Sequence, residues 1–163
     1  MSPGSGSGTD AGPRRTFSMV RTSRWSRSYQ IRGGGLPQVA LHQNRLGYRT
    51  TVELGAESWV VKSLLIGQLL TVVRRGSGEV LARKRFRALD ITGGPSLRWR
   101  PRSFSRPRAG YCLPDDTTVA EFVPFQGRAM QMAVMSGSRQ VDMICAVVGG
   151  LTMIQLSRAH YSH

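Results

Sequence analysis

Apolar residues in this chain follow two kinds of pattern. From Leu36 onward they alternate with polar residues in short runs. Tyr48, Thr50, Val52 and Leu54 alternate with Arg49, Thr51 and Glu53, the period of two that marks a half-buried strand. Residues 58–65 and 68–74 are rich in valine and leucine with Gly67 between them. The stretch LLTVVRR-GSGE-VLARKRFR reads as strand, glycine turn, strand. Leu97 and Trp99 alternate with Arg98 and Arg100, and Met130, Met132 and Val134 with Gln131 and Ala133. Residues 111–113 and 119–123 flank the turn residues Pro114, Asp115 and Asp116. Short strands at this spacing predict a sandwich or a barrel.

The second pattern is VDMICAVVGGLTMIQL, residues 141–156, with no charge between Asp142 and Arg158. Met143, Val147, Leu151 and Ile154 keep a three/four spacing, and Cys145 and Ala146 extend the apolar surface around the cylinder. A helix apolar on all sides is a core helix or a membrane span. Its uncharged stretch reaches roughly 22 Å at about 1.5 Å per residue, whereas a bilayer core is about 30 Å thick. The core reading is therefore preferred to a tail anchor, and no transmembrane span is expected. Ser138 suits the N-cap, and Asp142 and Arg158 lie at the helix ends that favour their charges. A hairpin fits the same stretch, because Gly149 and Gly150 separate two apolar runs. Two glycines inside a helix cost about 2 kcal/mol relative to alanine, so periodicity leaves both forms open.

The N-terminal fifth changes this picture. Residues 1–35 begin with SPGSGSGTDAGP, a flexible-linker composition. Arg14, Arg15, Arg21, Arg24, Arg27 and Arg32 follow, with Asp10 the sole acid of the segment. It reads as a disordered basic tail, and the folded domain is expected over 36–160, with its helix at about 139–157. No apolar h-region marks a secretory signal. The arginine- and serine-rich start is shared with mitochondrial presequences, but Pro3 and the glycines break the amphipathic helix such a signal needs.

A family likeness enters through four segments: LRWRPRSFSR (97–106), DDTTVAEF (115–122), AMQMAVM (129–135) and VDMICAVVGGLTMIQLSR (141–158). Their order resembles the tubby C-terminal-like group, which includes LURP-one-related proteins and phospholipid scramblases. Within that group they are most similar to an uncharacterised fungal family, with a terminal helix opening on "VDMI". The likeness covers roughly 36–158. It implies a mainly β fold, an antiparallel barrel wrapped around a central apolar C-terminal helix, and so selects helix over hairpin. This chain departs from the pattern in its Gly149–Gly150 pair and in Thr117–Thr118, where the family has glycine-glutamate.

Charge and chemistry bound the function. The 163 residues suit one domain, and the formal charge of +14 is almost all arginine, Lys62 and Lys84 being the two lysines. Such a balance points to an acidic partner: anionic lipid, nucleic acid or an acidic protein. Cys112 and Cys145 lie in apolar runs and suggest a reducing compartment, hence a cytoplasmic protein, peripheral to a membrane where lipid is the partner. Arg83, Arg85 and Arg87 are expected on one strand face, and Arg98, Arg100 and Arg102 on another. Residues two apart on a strand lie roughly 6.6 Å apart, and the planar guanidinium fork binds phosphate oxygens in pairs. A solvated barrel face in an arginine-rich chain gives the same rows.

Trp59 and Trp99 fall in apolar alternation and read as core, as do Met130, Met132, Met135, Met143 and Met153. Trp25 is a candidate stacker or anchor. His42, His160 and His163 have no partners at metal-ligand spacing. There is no nucleophile elbow, P-loop or dinucleotide fingerprint. The expectation is a non-enzymatic domain without cofactor or metal. It binds anionic, phosphoinositide-like membrane lipid through Arg83, Arg85, Arg87, Arg98, Arg100 and Arg102. That tubby recognises phosphoinositides adds to this by resemblance. A nucleic-acid-associated protein and a scaffold without ligand are the alternatives.

Overall fold

The computed structural model describes residues 14–23, 27–35, 38–135 and 138–161, with side chains as far as Arg158. Expectations placed on residues 1–13, on Trp25 and on the His160/His163 pair lie outside the described residues. Twelve strands and one helix follow in order. They are β1 Arg15–Arg21, β2 Ser28–Gly33, β3 Val39–Gln43, β4 Arg49–Leu54, β5 Glu57–Leu64 and β6 Leu69–Arg74. Then come β7 Val80–Arg85, β8 Ala88–Ile91, β9 Ser96–Arg100, β10 Ala109–Cys112, β11 Thr118–Gln126, β12 Ala129–Val134 and α1 Arg139–Tyr161. Each strand pairs antiparallel with the next, and β1 pairs with β12 to close the barrel.

Alternation sets which side chains point inward. Thr50 and Val52, Leu97 and Trp99, and Met130, Met132 and Val134 face the interior and are buried. Eight-stranded barrels are just wide enough to be filled by side chains, so a twelve-stranded wall needs further contents. The helix supplies them. Val141 and residues 143–148 are buried, as are Leu151, Met153 and Ile154. By length and composition Arg139–Arg158 could cross a membrane, but 78% of its most apolar stretch is buried inside the barrel.

The glycine pair has a packing cause. A Cβ on Gly149 would lie 2.0 Å from Phe122 Cζ, and one on Gly150 would lie 2.3 Å from Met19 Cε. At this point the helix lies close to β11 and β1, against a rigid ring at Gly149 and a flexible methionine end at Gly150. Phe122 belongs to an aromatic cluster with Trp99 and Tyr111, at centroid distances of 5.7 and 6.3 Å. The hairpin alternative is thereby excluded. At the start of the helix, Ser138 Oγ accepts the Val141 N–H at 3.4 Å. At the other end Arg158 donates to Gln43 Oε1 at 3.1 Å and to the Tyr29 hydroxyl at 3.4 Å.

Two expectations are corrected. The expected disordered tail over 1–35 does not hold for Arg15–Arg21 and Ser28–Gly33, which form β1 and β2, so the barrel begins at Arg15 rather than at residue 36. Phe17, Met19, Tyr29 and Ile31 fill the core, and Arg15 Nε lies 3.1 Å from Oδ2 of the fully buried Asp142. Tyr48 does not share the inward face of β4; it precedes the strand and is exposed.

Candidate functional site

The six expected arginines divide by location. Arg83 and Arg85 point outward from β7 on either side of the inward Lys84, and Arg98 points outward from β9. Ala88 of β8 pairs with both Arg85 and Arg98, so these two guanidinium stems stand two strands apart on one row, about 9.6 Å at the usual spacing. Among the described residues no acid is within ion-pairing distance of Arg83, Arg85, Arg87 or Arg98. The other placements correct the expectation of two strand rows. Arg87 lies in the turn after β7 because the strand ends at Arg85, and Arg102 lies beyond β9 with its Nε donating to Pro107 O at 2.9 Å. Arg100 forms an ion pair with Asp116 and is half-buried.

Because the barrel is a simple meander, successive connections alternate between its two ends. The entry rim, where the helix begins, holds the connections 34–38, 55–56, 75–79, 92–95, 113–117 and 135–138. These carry Glu79, Asp115 and Asp116 against Arg75. Glu53 and Glu57 flank the 55–56 turn, Arg74 flanks the 75–79 turn, and Arg139 and Asp142 stand in the first turn of the helix, so this rim is mixed in charge. At this rim the Trp59 indole N–H and the Arg74 guanidinium hold the Glu57 carboxyl below the usual carboxylate range.

The far rim, where the helix ends, holds 22–27, 44–48, 65–68, 86–87, 101–108 and 127–128. Its described residues carry Arg27, Arg45, Arg87, Arg102, Arg106, Arg108 and Arg128, and no acid. Just inside it Arg49 pairs directly with Lys62 across β4 and β5, a like-charge arrangement that costs stability. Among the described residues the single acid paired with a far-rim arginine is Glu121, 3.4 Å from Arg108.

The same rim collects apolar surface. Leu46, Tyr48, Leu64, Leu65, Ile66, Phe86, Phe104 and Leu156 are the exposed large apolar side chains of the described residues, and all eight lie there. Leu65, Ile66 and Phe86 also hold positive φ, at 52°, 54° and 55°. A left-handed backbone costs a non-glycine residue about 1–2 kcal/mol. The fold thus strains its backbone to present three apolar side chains to solvent.

Behind the 86–87 turn lies a cleft of about 420 Å³ lined by Ile66, Lys84, Phe86, Arg87, Trp99 and Leu156, among others. Lys84 is buried and its Nζ donates to Gly67 O at 3.0 Å. Burial pushes its pKa down. The two thiols are buried and unpaired, and burial pushes the Cys145 thiol and the Tyr111 phenol up.

Sequence reasoning found the arginines but missed the rim, whose residues come from loops spread over more than a hundred positions. A usable signal was present: apolar residues sit inside turns, as Phe86 does between Arg85 and Arg87.

The fold and site define a class: a closed twelve-stranded antiparallel barrel around a C-terminal helix, polarised in charge from one rim to the other. No protein-family model matches the chain, and no curated protein matches it. Among solved structures it is similar to the X-ray structure of the Arabidopsis thaliana protein AT5G01750, with a TM-score of 0.59 and 15% identity. The match covers 90% of this chain and 91% of that one. A likeness at this identity shows a shared fold.

Proposed function

We propose that this domain is a non-enzymatic, peripheral membrane-docking module that sits end-on, far rim down, on anionic phospholipid at the cytoplasmic face. The observation that carries this reading is the charge polarity: the far-rim loops hold arginines and no acid. Each basic residue near an anionic surface contributes about 1 kcal/mol, falling off within a Debye length of about 8 Å. Arg83, Arg85 and Arg98 on the wall above the rim extend the field. We also infer that the chain is a divergent relative of the tubby C-terminal-like group, near its fungal family. The four ordered segments and the shared fold support that reading.

The test is cosedimentation with phosphatidylcholine–phosphatidylserine vesicles, with duplex DNA and RNA as competitors. Binding should fall steeply with salt. Replacing Arg45, Arg87 and Arg106 by Glu should weaken it by about a hundredfold or more, with an unchanged thermal melt, because exposed charges contribute little to stability. Binding to vesicles no weaker in the triple variant than in wild type would refute end-on docking. Nucleic acid displacing the protein from vesicles, with equal sensitivity to the three substitutions, would favour the nucleic-acid reading.

A further inference from the structure

We propose that the far-rim loop tips penetrate the bilayer, with Leu65, Ile66, Phe86 and Phe104 seated among the acyl chains and the neighbouring arginines at headgroup level. The inference rests on the docking reading and deepens it, because electrostatic docking alone needs no apolar contact.

Four observations lead there. Ile66 is 85% exposed and Phe104 fully so, although neither loop needs a large side chain to turn. The backbone at Leu65, Ile66 and Phe86 favours glycine or asparagine, yet large apolar residues stand there. The two tips are rigid: Phe86 N–H donates to Gln68 O at 2.7 Å, Gln68 N–H donates to Leu65 O at 3.1 Å, and Gly67 lies against the Gln155 side chain of the helix. Lastly, each tip has a cation in its own loop or the next turn: Arg87 beside Phe86, and Arg102 and Arg106 either side of Phe104.

The arrangement favours a bilayer over a folded partner. The apolar side chains stand on two hydrogen-bonded tips, 65–68 and 86–87, and on the 101–108 loop, ringed by arginines with no acid among the described residues, a one-signed charge that an anionic surface matches. The apolar tips with arginines beside them also match the two layers of an anionic membrane, hydrocarbon below and phosphate above.

The experiment uses the full chain and phosphatidylcholine–phosphatidylserine vesicles. Cys112 and Cys145 are buried, so Ile66→Cys can be labelled selectively with a nitroxide. Ala56→Cys, exposed at the entry rim, serves as control. The expected result is that the label at position 66 becomes accessible to oxygen and shielded from a polar relaxant on binding, while the label at position 56 stays aqueous. The double variant Ile66→Asn, Phe86→Asn should melt at or above the wild-type temperature, because asparagine tolerates the left-handed region. It should bind vesicles at least about tenfold more weakly, from the lost apolar burial. It should also lose the binding that wild type retains at about 1 M salt, where the Debye length is about 3 Å.

If wild type binds, but the label at position 66 stays aqueous and binding vanishes in high salt, penetration is refuted and docking stands. If wild type ignores anionic vesicles, both readings fail. Self-association that the double asparagine variant abolishes would overturn penetration in favour of an interface between copies of this chain.

Discussion

Gly149 and Gly150 are neighbours in one helix and should respond oppositely to alanine. In both, alanine removes the intrinsic helix penalty of glycine, about 1 kcal/mol. At Gly149 the new methyl would lie 2.0 Å from Phe122 Cζ and within 2.7 Å of both flanking ring carbons. The ring cannot yield, since Phe122 is fully buried with Trp99 and Tyr111 against it. Overpacking of a tight core costs about 1–3 kcal/mol, and a rigid aromatic obstacle belongs at the upper end. The net loss is then about 2 kcal/mol. At roughly 2–4 °C per kcal/mol for a chain this long, Gly149→Ala should melt about 4–8 °C lower.

At Gly150 the obstacle is the terminal methyl of Met19, with Met132 Cε at 3.7 Å. A methionine end rotates away at little cost, so Gly150→Ala should melt within about 3 °C of wild type or above it. Calorimetry on the two variants and on Gly149→Ala with Phe122→Leu provides the check. Relief of the defect by Phe122→Leu would identify the ring as its cause. Equal stabilisation by both alanines would show that the glycines are not packing residues, and would refute the account of the helix seat.

Arg15→Gln should lower stability by about 3 kcal/mol, because it withdraws the guanidinium that stands 3.1 Å from the fully buried Asp142 carboxylate. A loss under about 1 kcal/mol in urea unfolding, the range of a surface pair, would sink that assignment. Lys84 should impose an alkaline signature. Its folded-state pKa lies below the ordinary value, so the folded protein releases the proton first. Stability gains as pH climbs from the folded pKa toward about 10.4, where the unfolded chain also lets go. Lys84→Met should melt higher than wild type at pH near 7, and the gap should close toward alkaline pH. A gap that does not vary with pH would mean that Lys84 is not destabilised by burial.

Much of this fold was legible because its strands carry a strict alternation. Val52, Trp59, Leu97, Trp99, Met130 and Met132 each sit where a period of two puts them. The helix was legible as an apolar cylinder, but its glycines were not, since their reason is the proximity of Phe122 and Met19 on β11 and β1. The first two strands were read as tail because each offers only two inward apolar residues, Phe17 with Met19 and Tyr29 with Ile31, among arginines and serines. What makes them structure is a neighbour more than a hundred residues away: Met19 pairs with Met130. The same separation hid the far rim. Strand patterns show which side of a wall a residue faces; they do not show at which end of the barrel two distant turns will meet.

The closure of β1 against β12 also has a consequence for biogenesis. A nascent chain presents the greasy inner faces of eleven strands before the last one exists to seal them, and the helix that fills the lumen is translated after all twelve. Until α1 clears the ribosomal tunnel no stable domain can form, because the sheet has nothing to wrap. This architecture therefore folds only once α1 has emerged, and holdase chaperones would protect the growing chain until then.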